Sequence, residues 1–249
     1  MQLYFIRHAQ SENNAIWSRT GSSEGRRADP GLTTIGWRQA RLLARFLAQN
    51  WITDPTDEWD AHNRRGFHFT HLYCSLMRRA VATGNEIAQA VDVPLRGWPD
   101  IHERGGIYLD DAASGEPVGL PGENRAFFAA YYPRLRVPPT LREEGWWNNR
   151  SYETAEAALE RARLVIEELL ARHGDTDDRV AMVSHGGFYH SVLSVLLDSP
   201  LRANGLSRDC HVWLALQNTA ISRFDFFEGR LLVTYMNRID FMPASLITY

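Results

Sequence analysis

Short apolar runs alternate with amphipathic helical segments through most of this 249-residue chain, and two of the runs end in a histidine. Such alternation folds into layers, because a strand apolar on both faces needs helices on either side of the sheet. Leu3-Tyr4-Phe5-Ile6 reads as the first buried strand and carries Arg7 and His8 at its C-terminal end. Residues 180–184 read as another, followed by His185 and the breaker Gly186-Gly187. A further strand is expected at 67–75, while 91–98 fits either a short strand or an extended connection. Helices are expected from Thr33 or Thr34, as cap, to about residue 50, with Leu42, Leu43, Phe46 and Leu47 on the apolar side, and over 77–90, 153–172 and 188–197. In the helix at 153–172, Ala158, Ala162, Leu164, Val165, Leu169 and Leu170 form the expected apolar face. Residues 18–31 read as a surface loop, and so does the polar stretch 51–66. Strands at 212–216, 220–226 and 231–235 close the chain, the last two joined by a hairpin at Glu228-Gly229. The expected fold class is α/β: a three-layer α/β/α sandwich with a mostly parallel mixed sheet, the terminal hairpin adding an antiparallel edge.

The length fits one large domain or two small ones, and with the middle insertion treated as a cap, residues 1–249 are read as a single domain. Its one irregularity is the segment 104–150, where Gly105-Gly106, Pro117, Pro121-Gly122, Pro133 and Pro138-Pro139 punctuate a cluster of aromatics. That composition suggests a folded cap, not a linker. A net charge of -3, with no basic run, argues against nucleic acid as a partner. All 27 basic residues are arginine, since lysine is absent. Two cysteines, Cys74 and Cys210, make no disulfide framework, which fits a reducing compartment. The N-terminal apolar run is too short for a signal peptide and is broken by Arg7, and no run reaches membrane-spanning length. The expectation is a cytoplasmic protein with no membrane partner.

Ligands of open α/β sheets bind beyond the C-terminal ends of the strands, where both histidines fall. An imidazole there can act as a nucleophile, and the planar fork of Arg7 suits a phosphate. The strand at 67–75 runs through Ser75-Leu76-Met77 into Arg78-Arg79, placing an arginine in the first turn of a helix. A helix N-terminus is already partly positive, so an anion held there would relieve the conflict; helical spacing does not choose between Arg78 and Arg79. The N–H groups around Gly186 at the next helix start can likewise point at an anion.

Arg7-His8-Ala9-Gln10-Ser11-Glu12-Asn13-Asn14 is similar to the Arg-His-Gly-Glu/Gln-Ser-x-x-Asn signature of the histidine phosphatase superfamily, also called phosphoglycerate-mutase-like. Asp29-Pro30-Gly31-Leu32-Thr33 with Gly36 and Gln39-Ala40 resembles the segment that follows it. Ser75-Leu76-Met77-Arg78-Arg79-Ala80 with Thr83, and Val183-Ser184-His185-Gly186-Gly187, resemble two further motifs, in the family's order. This alignment selects Arg79.

The resemblance implies a phosphatase acting on a small phosphomonoester. His8 would be the nucleophile, transiently phosphorylated, its other nitrogen fixed by a backbone acceptor; Arg7, Arg79 and His185 would grip the phosphoryl oxygens; Glu103 would be the acid. Asn14, Gly186 and Arg104 would add phosphate or substrate contacts, and Asp110 and Asp111 are the fallback acids. Neither cofactor nor metal is implied, and the nine histidines show no zinc spacing. Ala9 stands where the family commonly has glycine, adding a methyl beside the nucleophile. Arg104, Tyr108, Glu123, Arg125, Trp146 and Trp147 are candidates to line the substrate cavity. The alternatives are a phosphoglycerate-type mutase, disfavoured because that branch's lysine contacts have no lysine here, and a non-catalytic phospho-ligand-binding protein, which would not need Glu103. An aromatic cap can equally face a second copy, so a homodimer is one expected partner arrangement.

Overall fold

A computed structural model describes residues 1–49, 59–148, 150–197 and 214–249. Six strands form one sheet in the order β3-β2-β6-β1-β7-β8: β1 (Gln2–Arg7), β2 (His71–Cys74), β3 (Leu95–Gly97), β6 (Arg179–Ser184), β7 (Ile221–Phe227) and β8 (Arg230–Arg238). The β3-β2-β6-β1 pairings are parallel and β7 is antiparallel to both neighbours, so the sheet is mixed and mostly parallel. The β7–β8 hairpin turns at Glu228 (φ 49°) and Gly229 (φ 69°), the left-handed pair that matches the twist of two adjoining strands.

Alternation along the strands sorts two cores. Tyr4, Ile6, Leu72, Cys74, Ala181 and Val183 face α2 (Thr34–Leu47) and α3 (Arg78–Val91). Leu3, Phe5, Tyr73, Val180 and Met182 face α5 (Ala155–His173) and α6 (Gly186–Leu196). The α/β/α sandwich therefore follows from strands apolar on both faces, each buried Leu, Ile or Phe stabilising the fold by about 1.5–3 kcal/mol.

Segment 104–150 contributes the two-stranded pair β4 (Tyr108–Asp110) and β5 (Pro117–Gly119) and the short helix α4 (Arg125–Tyr131). Ile107, Phe128, Leu135, Leu141, Trp146 and Trp147 from this segment join the α2–α3 core. No helix among the described residues is long and apolar enough to cross a membrane.

Four readings are corrected. Residues 18–20, expected in a loop, end the helix α1 (Glu12–Thr20), which buries no residue and so carries no apolar period. Its ends are set instead by a Ser11/Asn14 capping box and by Gly21 in the left-handed region (φ 65°). Strand β2 is shorter than the expected 67–75 because Asn63, Gly66 and His68 take positive φ just before it, while Phe67 and Phe69 pack edge-on against Tyr4. On α5, Leu164 and Leu170 are exposed, and Ala158, Ala162, Val165, Ile166 and Leu169 make the buried stripe. Residues 214–216 are not strand, whereas 212, 213, Cys210 and the expected helix end at residue 50 lie outside the described residues. The ambiguous stretch before Trp98 does contain a strand, β3, paired to β2.

Candidate active site

Register places the two histidines side by side. Arg7 at the end of β1 pairs with Ser184 at the end of β6, and the His8 N–H donates to the Ser184 carbonyl (2.9 Å). The His8 and His185 ring centroids are 5.0 Å apart, with His8 only 2% exposed and His185 fully buried. The His8 tautomer follows from its partners. Arg79 Nε–H can only donate, and it donates to His8 Nε2 (3.1 Å), so Nε2 is unprotonated; Nδ1 then carries the proton and donates to the Ala9 carbonyl (2.7 Å). Burial first, then the Arg79 and Arg7 charges, hold His8 well below the ordinary histidine range, so the ring is neutral at neutral pH. Ala9 is itself fully buried, its N–H donating to Thr83 Oγ1 (3.0 Å).

Arg79, in the first turn of α3, is buried beside Asp29, with Nη1 3.7 Å from Oδ1. The Arg78 N–H donates to both Asp29 oxygens (3.1 and 3.3 Å). The anion that relieves a cationic helix start is thus an aspartate of the chain itself. Burial pushes the Asp29 carboxyl up to about 7 against the opposing pull of Arg79 and of the Arg78 N–H and charge, so it is ionisable near neutrality. Thr83 Oγ1 donates to the Arg79 carbonyl (2.8 Å) while accepting from Ala9, tying α3 to the loop that follows His8.

Glu103 occupies the start of α6. Its Oε2 accepts from the Gly187 N–H (3.1 Å), and Oε1 accepts from Phe188 and Arg104 N–H groups (2.8 Å each). The expected anion at this helix start is therefore Glu103, held partly by the helix's positive end. A side chain at Gly187 would displace Glu103, since a Cβ would lie 2.4 Å from Glu103 Oε1 and 2.9 Å from Arg104 Nε. Gly186, singled out from the sequence, is less constrained: a Cβ there would meet Arg7 Nε at 3.5 Å, an ordinary contact. Arg7 donates from Nη1 to the Leu216 carbonyl, while its Nε and both ring nitrogens of His185 are buried with no hydrogen-bond partner among the described residues. Burial lowers Arg7 to about 10, with Glu103 opposing and Arg79 adding to the drop. His185 is likewise held well below its ordinary range by burial first and then by Arg79.

The structure thus brings Arg7, His8, Arg79, Glu103 and His185 to one end of the sheet, with Arg104 exposed over the first turn of α6. Asn14 is tied in differently: its Oδ1 accepts from the Ser11 N–H and hydroxyl, capping α1, and from Asn218 Nδ2. Asp110 and Asp111 do not join. Both are exposed on the β4–β5 pair, where Asp111 organises its own turn through Ala113 and Ser114. Arg125 bonds carbonyls of residues 138, 139 and 141 within its own segment, and Trp146 and Trp147 are buried against His102 (ring centroids 6.0 and 4.6 Å). Tyr108 carries Arg26 over its ring (4.0 Å), and Glu123 pairs with Arg78 (3.7 Å). A cavity of about 330 Å³ under this segment, lined by Leu76, Pro99, Arg142, Trp146 and Arg150, does not include the histidine pair.

Asn218 and Asp29 are the supports that sequence reasoning did not assign. Asn218 Nδ2 donates to the His8 carbonyl (3.1 Å) and nothing in its surroundings in the chain marks it; Asp29 stood in a recognisable segment but had no partner until α3 was placed.

Two neutral, buried histidines at adjoining parallel strand ends, ringed by two guanidinium groups, define an α/β protein built to handle an anion. The chain belongs to the histidine phosphatase superfamily (branch 1), whose family model matches residues 3–55 and 60–239. No curated protein matches its sequence. Among solved structures it is similar in fold to phosphoserine phosphatase from Entamoeba histolytica in complex with 3-phosphoglyceric acid, at 18% identity and TM-score 0.57 over 97% of this chain and 99% of that one. A mycobacterial glucosyl-3-phosphoglycerate phosphatase complexed with VO3 gives 17% identity and TM-score 0.55, covering 95% and 98%. The ecdysone phosphate phosphatase from Bombix mori, in complex with tungstate, gives 14% and 0.55, covering 90% and 88%.

Proposed function

We propose that the protein is a phosphatase that hydrolyses a small phosphomonoester through a phosphohistidine on His8. The observation that carries this reading is the His8 tautomer: a neutral ring presents the lone pair of Nε2 among cations while Nδ1 is pinned to the Ala9 carbonyl. The lone pair attacks phosphorus as the ester P–O bond breaks. For this the Arg79 N–H must pass from Nε2 to a phosphoryl oxygen, which the negative charge of the ester favours. Arg7 Nε and a His185 ring N–H, both without partners among the described residues, donate to the same group as charge develops, and loss of one such donor typically costs about 100-fold or more in rate.

Beside the negative charge of the bound ester the Glu103 carboxylate takes up a proton from solvent, and the departing oxygen receives that proton. Water then attacks phosphorus, returns a proton to Glu103 and frees Nε2 with inorganic phosphate. The phosphatases of similar fold act on phosphoserine, glucosyl-3-phosphoglycerate and ecdysone phosphate, so the fold takes different alcohols, and the 104–150 segment is the part of this chain we assign to choosing its own. Rapid-quench labelling tests the reading. Acid-labile, base-stable phosphate should appear on wild type during hydrolysis of p-nitrophenyl phosphate and be lost, with activity, in His8→Ala. Turnover without such a phosphoenzyme would sink the covalent route, and no turnover of any phosphoester from pH 5 to 8 would sink the activity.

A further inference from the structure

At the opposite end of β2 and β6 from His8 and His185, roughly 20 Å away by strand length, lies a second histidine cluster with no part in the chemistry above. His71 opens β2, Asp178 immediately precedes β6, and His173 ends α5. His173 Nδ1 is 2.8 Å from Asp178 Oδ2, His71 Nδ1 is 3.5 Å from Asp178 Oδ1, and the two rings have centroids 4.5 Å apart. The three donor atoms lie within 4.8 Å of one another, the one such His/Cys/Asp/Glu group among the described residues.

We propose that His71, His173 and Asp178 form a binding site for a divalent transition metal of the zinc class, with water as a fourth ligand. Two imidazoles and a carboxylate suit zinc, whose tetrahedral ligand atoms sit about 3.3 Å apart, so the cluster needs only a small closing movement. His71, with its side chain 28% exposed, and Asp178, at 22%, leave a route for the ion, while His173 is buried. The support behind the ligands is in place. Tyr73 Oη contacts His173 Nε2 (3.2 Å), the outer hydrogen bond that orients a metal-bound imidazole. In the metal-free protein His173 Nδ1–H donates to the carboxylate and Nε2 accepts from the tyrosine hydroxyl. On binding, the ring proton moves to Nε2, the hydroxyl becomes the acceptor and Nδ1 takes the metal, with no net loss of a proton.

The ion would join the start of β2 to the connection between α5 and β6, about a hundred residues away in sequence.

The test uses the full chain stripped with EDTA. Titration with ZnCl2 by calorimetry should give one saturable micromolar or tighter site, CoCl2 should give visible bands of tetrahedral cobalt, and zinc at a hundredfold excess over Kd should raise Tm by about 5 °C or more. In His71→Ala, zinc affinity should fall at least tenfold and the Tm rise should vanish, with hydrolysis of p-nitrophenyl phosphate unchanged. Asp178→Asn provides a second variant if His71→Ala does not fold. Absence of saturable zinc binding by wild type, or equal binding by the wild type and a folded variant, would overturn the site. Neither result touches the reading of His8, which the phosphoenzyme assay judges separately.

Discussion

Gly187→Ala isolates the role of Glu103 without altering any ionisable group. The new Cβ would sit 2.4 Å from Glu103 Oε1, against an ordinary contact of at least 3.4 Å, so the carboxylate must retreat by about 1 Å. Retreat stretches the bonds from the Phe188 and Arg104 N–H groups, now 2.8 Å each. Such charge-assisted bonds contribute about 1.5–3 kcal/mol each, partly replaced by water. Alanine in a helix returns up to about 1 kcal/mol over glycine. Stability should therefore fall by no more than about 5 kcal/mol, and by less as water replaces the stretched bonds, while a displaced proton donor costs about 100-fold or more in the step that expels the alcohol. The readout is the single-turnover rate of His8 phosphorylation from an alkyl phosphate, whose leaving group needs a proton, and from p-nitrophenyl phosphate, whose leaving group does not. The loss should be large for the first ester and small for the second. Gly186→Ala is the control: its Cβ makes only ordinary contacts of 3.5–3.9 Å with Arg7, so it should stay within a few-fold of wild type on both. If Gly187→Ala phosphorylates His8 from the alkyl ester as fast as Gly186→Ala does, Glu103 is not the acid.

Stability should depend on pH through groups of opposite sign. His8, His102 and His185 are all depressed chiefly by burial, so their contribution is present above the unfolded-state value of 6.5 and lost below it, at up to about 1.4 kcal/mol per pH unit each; denaturant melts of His185→Asn should show a shallower acid-side loss than wild type. Asp29 acts the other way: its folded-state value, raised to about 7 from 3.8, makes its contribution decline as pH rises through that window, so Asp29→Asn should gain stability relative to wild type between pH 4 and 7, and a constant difference would refute the assignment. On α5, Leu169→Ala should cost about 2–5 kcal/mol by urea unfolding and Leu164→Ala about 0.5 kcal/mol or less, because Leu169 is fully buried and Leu164 is half exposed.

What was legible in the sequence follows the physics of local patterns. Strands apolar on both faces can be buried only between helices, so residues 3–6 and 180–184 implied the sandwich, and the small and polar residues after the first and Gly186-Gly187 after the second implied strand ends where Arg7-His8 and His185 would stand. The arginine at the start of α3 announced a nearby anion through the helix dipole alone. The anion's identity was not local. Asp29 lies about fifty residues from Arg78 in sequence, and Glu103 over eighty from Gly187, so the chain of separate patterns did not pair them. The polar helix α1 and the exposed Leu164 escaped for a related reason: apolar spacing reports burial, and here the capping box or the neighbouring layer decided.

The sequence by itself determined the layered class, the strand ends and the residue types that gather there, because those depend on hydrophobic period and chain breakers. Only the tertiary structure decided that the Arg7–Ser184 register sets His8 beside His185, that Arg79 fixes the His8 tautomer, and that Glu103 takes the N–H groups of α6. Each of these is a contact between segments far apart in sequence, and such contacts are chosen by the packing of the whole sheet and its helices.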